Sequence, residues 1–251
     1  MSTNLNKRWI SVSISTANYR KVYYDNLKQY EEPKESFKAL VEVIKADRED
    51  PFSLVDVGCA AGAFLHYAKN ELPVSKCTGI DISDVDLDLA RRHVEGVEFV
   101  QDSITTPTQT ESRQFDVCTC LGTVAVFDDP DPVLQNLIRL VRPGGALYLW
   151  DLVNDHPVDV VVRYRRADQP RCDWYSGLNV RSKETFEHLI EQFAPAAETD
   201  WFDFRMPFPI PQGEDPLRTW TIPTEDNPHQ IVVGTGQMLD FKILRARIPE
   251  A

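Results

Sequence analysis

The sequence has no run of apolar residues long enough to cross a membrane, and its first residues carry no apolar core of a secretion signal. The expectation is a cytoplasmic protein with no membrane partner. Basic charge is scarce: 27 Lys and Arg stand against 39 Asp and Glu, a formal net charge of -12. Such a surface repels phosphate backbones, so no nucleic-acid partner is expected. The one local exception is the arginine group Arg163, Arg165, Arg166 and Arg171. Cysteine is sparse and odd in number, with five at Cys59, Cys77, Cys118, Cys120 and Cys172. Four fall in expected strands or at their ends, which reads as buried reduced thiols. Cys118-x-Cys120 alternates along one strand and lacks zinc-site spacing, so no metal site is assigned. Internal repeats and low-complexity tracts are missing too, which leaves a globular chain of 251 residues and 42% hydrophobic content. That length suits one α/β domain with additions, or at most two small ones.

What is present is centred on Ser53 to Leu65. Leu54, Val55 and Val57 read as a buried strand, small residues then turn the chain, and helix formers resume at Ala63. Gly58 and Gly62 suit a turn in which a Cβ would hold a ligand off the backbone or demand a costly φ. The helix that follows presents free amides to electronegative atoms. About twenty residues on, Cys77 to Ser83 is a second short strand ending in Asp81, where dinucleotide-binding α/β folds place the carboxylate that holds ribose hydroxyls.

The pair Val-Asp-Val-Gly-Cys-Ala-Ala-Gly (55–62) and Gly-Ile-Asp-Ile-Ser (79–83) resembles the cofactor site of class I S-adenosylmethionine-dependent methyltransferases. Ala60 stands where many relatives have a third glycine. Two further stretches agree, Phe115 to Cys120 and the Arg142-Pro143-Gly144-Gly145 turn into the apolar strand 146–149. The four fall in the family's order over residues 52 to 151. The resemblance implies an α/β fold: a Rossmann-like, doubly wound, mostly parallel seven-stranded sheet with an antiparallel final strand pair. It also implies S-adenosyl-L-methionine as cofactor and S-adenosyl-L-homocysteine as product. The residues it assigns to the cofactor are Asp56, Gly58, Cys59, Ala60, Gly62, Asp81, Ile82, Asp102, Ser103, Leu121 and Gly122. Asp102, at the exit of the third strand, would accept from the adenine amino group or merely cap its turn.

One domain over residues 1–251 is expected. It comprises an N-terminal helical cap (1–46), a cofactor-binding core (52–151), a substrate-cap insertion (152–180) and a C-terminal part of the sheet (181–251). Helical spacing over 19–29 puts Tyr19 and Tyr23 either at the acceptor pocket or against the core. Helices are expected from Pro33 to about Ala46, Ala63 to Asn70, Ser83 to His93, from the stretch Asp128 to Pro132 onward, and Ser182 to Phe193. Ser83 serves as a cap, with Asp84, Asp86 and Asp88 at the positive helix end. Ile231 to Val233 with Met238 to Leu244 is read as the antiparallel pair that completes the sheet.

Residues 152–180 lack periodicity and follow the fifth strand, at the end of the sheet where open α/β folds bind ligands. Arg163, Tyr164 and Trp174 are the acceptor candidates there. Methyl transfer to a hydroxyl needs in-line placement and proton removal. His156, Asp151 and Asp155 are the candidates for that base, and His156 reads equally as a turn residue before Pro157. The stretch Leu121 to Phe127 lacks the polar residue that related enzymes often carry after the fourth strand. No Asn-Pro-Pro-Tyr or Pro-Cys motif sits there, which argues against DNA amino-methylation and cytosine C5 methylation. The favoured reaction is O-methylation of a small-molecule acceptor, such as a sugar or natural-product hydroxyl. The alternatives are N-methylation of a small amine and a catalytically silent methyltransferase-like scaffold. An NAD-dependent oxidoreductase fits less well, because Asp-x-Gly replaces Gly-x-Gly-x-x-Gly. A homodimer is left open.

Overall fold

The structure is a computed structural model that describes residues 27–106, 114–169 and 173–250. Tyr19, Tyr23, Arg171 and Cys172 lie outside the described residues. After a short 3-10 turn (Leu27–Tyr30) the chain runs α1 (Glu35–Asp47), β1 (Phe52–Val57), α2 (Ala63–Glu71), β2 (Val74–Asp81), α3 (Asp84–His93), β3 (Glu98–Gln101) and β4 (Phe115–Leu121). A second 3-10 turn (Val124–Val126) precedes α4 (Asp131–Leu140) and β5 (Val141–Asn154). Then come β6 (Arg163–Tyr164), β7 (Tyr175–Ser176), β8 (Arg181–Ser182), α5 (Lys183–Phe193) and β9 (Glu198–Phe204). The last elements are β10 (Trp220–Ile222), β11 (Gln230–Val233), β12 (Gln237–Leu239) and β13 (Phe241–Arg247).

The main sheet has the order β3-β2-β1-β4-β5-β13-β9, with short β8 added beside the far end of β5. β1 is parallel to both neighbours and buried on both faces, which is why Leu54, Val55 and Val57 form an unbroken apolar run. Alternation along the strands feeds two cores. Leu54, Val117, Tyr148 and Ile243 meet α1, α2 and α3 on one face. Val55, Cys118, Leu147 and Leu244 meet α4 and α5 on the other. Truncating Leu54 to Ala, with no exposure at all, would cost about 2–5 kcal/mol.

The helices start where their caps put them: Ser83 Oγ accepts from Asp86 N, and Ser182 Oγ from Thr185 N. β5 begins five residues before the expected Ala146, because the Arg-Pro-Gly-Gly turn itself joins the strand. A Cβ on Gly145 would lie 2.8 Å from the Asp116 carbonyl oxygen, so only glycine lets β4 and β5 close there.

The antiparallel strand pair is present, but only one member overlaps its expected residues, β13 sharing 241–244 with the expected Met238 to Leu244. β13 runs antiparallel to both β5 and β9, and β9 is the outer member. Ile231 to Val233 do not join this sheet. They are the middle strand of a separate three-stranded meander, β10-β11-β12. The expected C-terminal part of the sheet (181–251) therefore divides between two sheets. The reason is turn chemistry: Gly234 and Gly236 fold β11 back on β12, with Gly236 at φ +82°.

Candidate active site

The carboxyl ends of β1, β2 and β4 converge on the turn after β1. Gly58 N and Cys59 N both donate to Ile80 O, at 2.8 and 3.1 Å, so β2 fixes the start of the turn. Gly58 has φ +76°, Ala60 +47° and Gly62 +77°, three left-handed residues in five. Ala60 holds this conformation without a glycine's freedom, at a steric cost. A Cβ on Gly58 would come within 2.2 Å of Thr123 Oγ1, in the loop after β4. The two loops thus touch through a glycine, and Thr123 closes that side. Gly62 is the N-cap of α2, and a Cβ there would press on the Phe99 ring at 3.0 Å. Cys59 is buried, and burial pushes its thiol well up, so it acts as packing rather than as a nucleophile.

Asp81 faces this turn. Its Oδ2 accepts from Ala60 N and its Oδ1 from Ser83 N, both at 2.8 Å. Burial raises its carboxyl and the two amides pull it back. Each oxygen keeps a lone pair for an incoming O–H. Ile82, next along, is 70% exposed, and Val85 is 58% exposed. These two apolar side chains beside a carboxylate suit the flat base and the ribose of a nucleoside. Asp102 N donates to Asp81 O, and the Asp102 carboxylate accepts from Ser103 N at 2.8 Å. Asp102 and Ser103 therefore stand beside Asp81 at the sheet edge. Asp56 sits below them, 3% exposed, with Thr119 Oγ1 donating to it at 2.8 Å. Burial pushes its carboxyl up to about 8, against the Thr119 bond and with the Asp81 charge. The glycine cradle, the acid and its apolar neighbours fit S-adenosylmethionine, and Asp56 supports them from beneath.

The opposite wall is the loop 122–128. Asp151 is 2% exposed, and its carboxylate accepts from Val124 N at 2.9 Å, Ala125 N at 3.2 Å and Leu152 N at 2.8 Å. Burial pushes it up to about 7 while these amides and the Arg181 charge lower it. Asn179 N donates to Ala125 O, and its side-chain amide donates to Phe127 O at 2.9 Å. Arg181 Nη2 donates to the carbonyls of Phe127 and Asp128, at 3.0 and 2.8 Å. The sequence reading passed over Asn179 and Arg181, because nothing local marks a residue whose partners lie about fifty positions away.

The three base candidates separate. Asp151 points into the protein and clamps the 3-10 turn. Asp155 is paired with Lys183 at 2.6 Å and Lys242 at 3.1 Å, which hold its carboxyl below its usual value. His156 is exposed, its backbone amide bonded to Asn154 Oδ1. Among the acceptor candidates, Arg163 is ion-paired with Asp128. Tyr164 and Tyr175 face each other across the β6–β7 hairpin, rings 5.8 Å apart. Trp174 is 63% exposed under Arg165. Arg166 is bonded to Asp168 and Asp215. The structure gathers these residues on one outlying hairpin rather than at the tips of β1, β2 and β4.

Tyr30 is an addition. Its hydroxyl donates to Ala61 O at 2.8 Å, and its ring stacks on His93 at 5.2 Å and meets His66 edge-on. It ties the segment before α1 to the glycine turn. The tyrosines at 19 and 23 were the signal, but the expected helix ended one residue short of Tyr30.

A family profile described as a methyltransferase domain matches residues 55–149. Among curated relatives, the ubiquinone biosynthesis O-methyltransferase of Pseudomonas putida (strain W619) is 33% identical over 108 residues, covering 41% of this chain and 45% of that protein. The one of Pseudomonas paraeruginosa (strain DSM 24068 / PA7) is 37% identical over 109 residues, covering 42% and 46%. The chain thus spans about half the length of the curated relatives it matches. Among solved structures, N-methyltransferase NodS from Bradyrhizobium japonicum WM9, in complex with S-adenosyl-L-homocysteine, shares the fold. It has a TM-score of 0.56 at 15% identity, over 94% of this chain and 98% of that one. Among the described residues no helix is long and apolar enough to cross a membrane.

Proposed function

This chain belongs to the class I S-adenosylmethionine-dependent methyltransferases, and on that premise we propose that it methylates a hydroxyl oxygen of a small molecule. When bound, S-adenosylmethionine supplies a methyl group on a sulfonium, and S-adenosylhomocysteine is what leaves. The observation that carries the reading is Asp81, held by Ala60 N and Ser83 N over a turn whose glycines admit no side chain. In this reading Asp81 holds the ribose hydroxyls. Ile82 packs on the adenine, and Asp102 and Ser103 address its polar edge. The backbone of Gly58, Cys59, Ala60 and Gly62 lies along the methionine part, and Leu121 and Gly122 bound the sulfur end.

With the cofactor bound, this chain's part would be to hold the acceptor hydroxyl in line with the methyl group and to take its proton with a base. His156 is the assignment for that base, because Asp151 and Asp155 are engaged by donors. The names of the curated relatives support oxygen over nitrogen as the acceptor atom. The loop 122–128, latched by Asp151, Asn179 and Arg181, forms the acceptor side, and the 152–180 segment supports it from outside.

The test is calorimetric titration with S-adenosylhomocysteine, with NAD as control. Binding of the former alone is expected; binding of neither would make the glycine turn structural and leave a scaffold. For the base, His156→Ala is expected to lower kcat at pH 7 by at least about tenfold, with cofactor affinity intact. Undiminished turnover would hand the proton to solvent.

A further inference from the structure

Residues 158–164 and 175–181 form a two-stranded ribbon. The second strand is the inner one: Asn179 N donates to Ala125 O, and Arg181 pairs with Val153 of β5. The first strand, outside it, carries four valines, Val158, Val160, Val161 and Val162. Val160 exchanges both backbone bonds with Val180, at 2.8 and 2.9 Å. Val162 O accepts from Gly177 N at 2.9 Å, Val162 N donates to Asn179 Oδ1, and Tyr164 pairs with Tyr175. Residues 160, 162 and 164 thus turn their backbone groups inward. By the alternation of an antiparallel pair, Asp159, Val161 and Arg163 turn theirs to the outer edge. Among the described residues no hydrogen bond reaches the backbone of Val161.

That edge is bare and apolar. Residues 155–161 are all exposed, with Val158 at 54%, Val160 at 39% and Val161 at 52%. Valine favours strands, and an open valine edge takes up another strand unless charge or proline blunts it. The two charges on this edge, Asp159 and Arg163, are opposite in sign and stand two residues either side of Val161. Reversed, the pattern is its own complement. An antiparallel copy centred on Val161 sets Asp159 opposite Arg163 at both ends, Val160 opposite Val162, and Val158 opposite Tyr164. A slip of two residues either way sets Arg163 opposite Pro157 or Val161, and a slip of one presents the inward groups to the edge. Elsewhere a chain of net charge -12 repels its own copy, whereas here the facing signs are opposite.

We propose that the strand 158–164 pairs with the same strand of a second copy of this chain, antiparallel about a two-fold axis at Val161. This goes beyond the methyl-transfer reading and does not depend on it. Backbone bonds and valine contacts supply the affinity. The Asp159–Arg163 pairs fix the register and add little strength, because each group already has a partner in its own chain: Asp159 accepts from Ser182 N, and Arg163 meets Asp128. A foreign strand would have to bring the same sequence of signs, which a second copy brings by symmetry. One short strand per copy is a small contact, so a dimer of micromolar strength is expected. The ribbon is tied to Phe127 and Asp128 through Asn179, Arg181 and Arg163, so the second copy braces the loop 122–128 from outside.

Sedimentation velocity on the full chain is the test. Wild type is expected to pass from monomer toward dimer between about 1 and 100 µM. Val161→Lys sets two like charges face to face on the axis and should weaken association at least about tenfold. The position is exposed, so the midpoint of urea unfolding should stay that of wild type. Val161→Cys gives an independent readout of the register. Residues that face each other across the axis are within reach of a disulfide, so oxidised glutathione should convert this variant to a covalent dimer. Val158→Cys, whose counterpart lies far along the opposing strand, and wild type should stay uncrosslinked. Three results would overturn the proposal: a wild type that remains monomeric throughout the range, a dimer that Val161→Lys leaves intact, or crosslinking of Val158→Cys as readily as of Val161→Cys. If Val161→Lys lowers the unfolding midpoint, the crosslinking comparison decides the matter alone.

Discussion

The two walls of the site are fixed by different means. The cofactor wall, from Gly58 to Asp81, is held by backbone geometry: left-handed residues, a strand-to-turn pair of bonds to Ile80 O, and one carboxylate on two amides. Its parts lie within about thirty residues of one another. The facing wall, from Gly122 to Asp128, which we propose for the acceptor, is held by side chains from far along the chain, namely Asp151, Asn179 and Arg181. A wall made by backbone conformation tolerates almost no change at a few positions. One made by distant hydrogen bonds can be retuned residue by residue, which suits the part of a methyltransferase that must differ between acceptors.

The largest expected effect tests the rigid wall. Gly58→Ala places a methyl group 2.2 Å from Thr123 Oγ1 at φ +76°. The strain and the collision together should lower S-adenosylhomocysteine affinity by about 100-fold or more. Calorimetry on folded variant protein measures it. A loss under about threefold would mean the wall gives way, and the contrast between the walls would dissolve.

Next comes the latch of the other wall. Asn179 is fully buried and bonds Val162 N, Phe127 O and Asp128 Oδ1 through its side chain. Asn179→Ala leaves those partners unmade in the interior, so a stability loss of about 2–4 kcal/mol is expected in urea unfolding. S-adenosylhomocysteine affinity should change little. Equal losses in stability and cofactor affinity would show that the walls are mechanically one piece.

How much of this was legible in the sequence follows the same division. The strand-turn-helix at 53–65, the acid at Asp81 and the strand at 115–121 were readable, because each is a local pattern of apolar period, glycine and cap. The mostly parallel sheet with an antiparallel final pair followed from the family likeness. The place beside β13 was given to Ile231–Val233, where the structure puts Glu198–Phe204. Both segments are apolar and of strand length, and pairing choice is a matter of tertiary packing. Asp151 was singled out as a base because it stands just past the expected fifth strand, although β5 runs on to Asn154. The signal was real, but three amide donors make it a clamp. Phe241 was read only as part of the final strand pair, since an aromatic residue in a strand reads as core until its neighbours are known.

The buried acids give a smaller, pH-dependent contrast. Burial holds Asp56 at about 8 in the folded protein, far above an unfolded aspartate near 3.9. Its folded state prefers the proton, so this contribution to stability is full below about pH 4 and is lost as pH rises toward 8. Each pH unit in that window costs up to about 1.4 kcal/mol. Asp56→Asn, which can still accept from Thr119 Oγ1, should flatten the fall between pH 5 and 8 measured by urea midpoints. Parallel curves for the two proteins would show that Asp56 is ionised in the fold.

The smallest effect is expected on the β6–β7 hairpin, where sequence reasoning had placed the acceptor contacts. Arg163 carries a charge that Asp128 already neutralises at the surface. Exposed pairs of this kind contribute about 0–1 kcal/mol, so Arg163→Ala should scarcely move the midpoint of unfolding. KM for a neutral acceptor should stay within about twofold, because the guanidinium is already held by Asp128. If instead KM rises tenfold or more at unchanged kcat, the arginine binds the acceptor directly, the Asp128 pair opens on binding, and the adaptable wall extends outward to the hairpin. Repeating the measurement with an acceptor that carries a carboxylate separates charge recognition from a shift of the loop: only a direct contact would make the variant lose more for the anionic acceptor than for the neutral one.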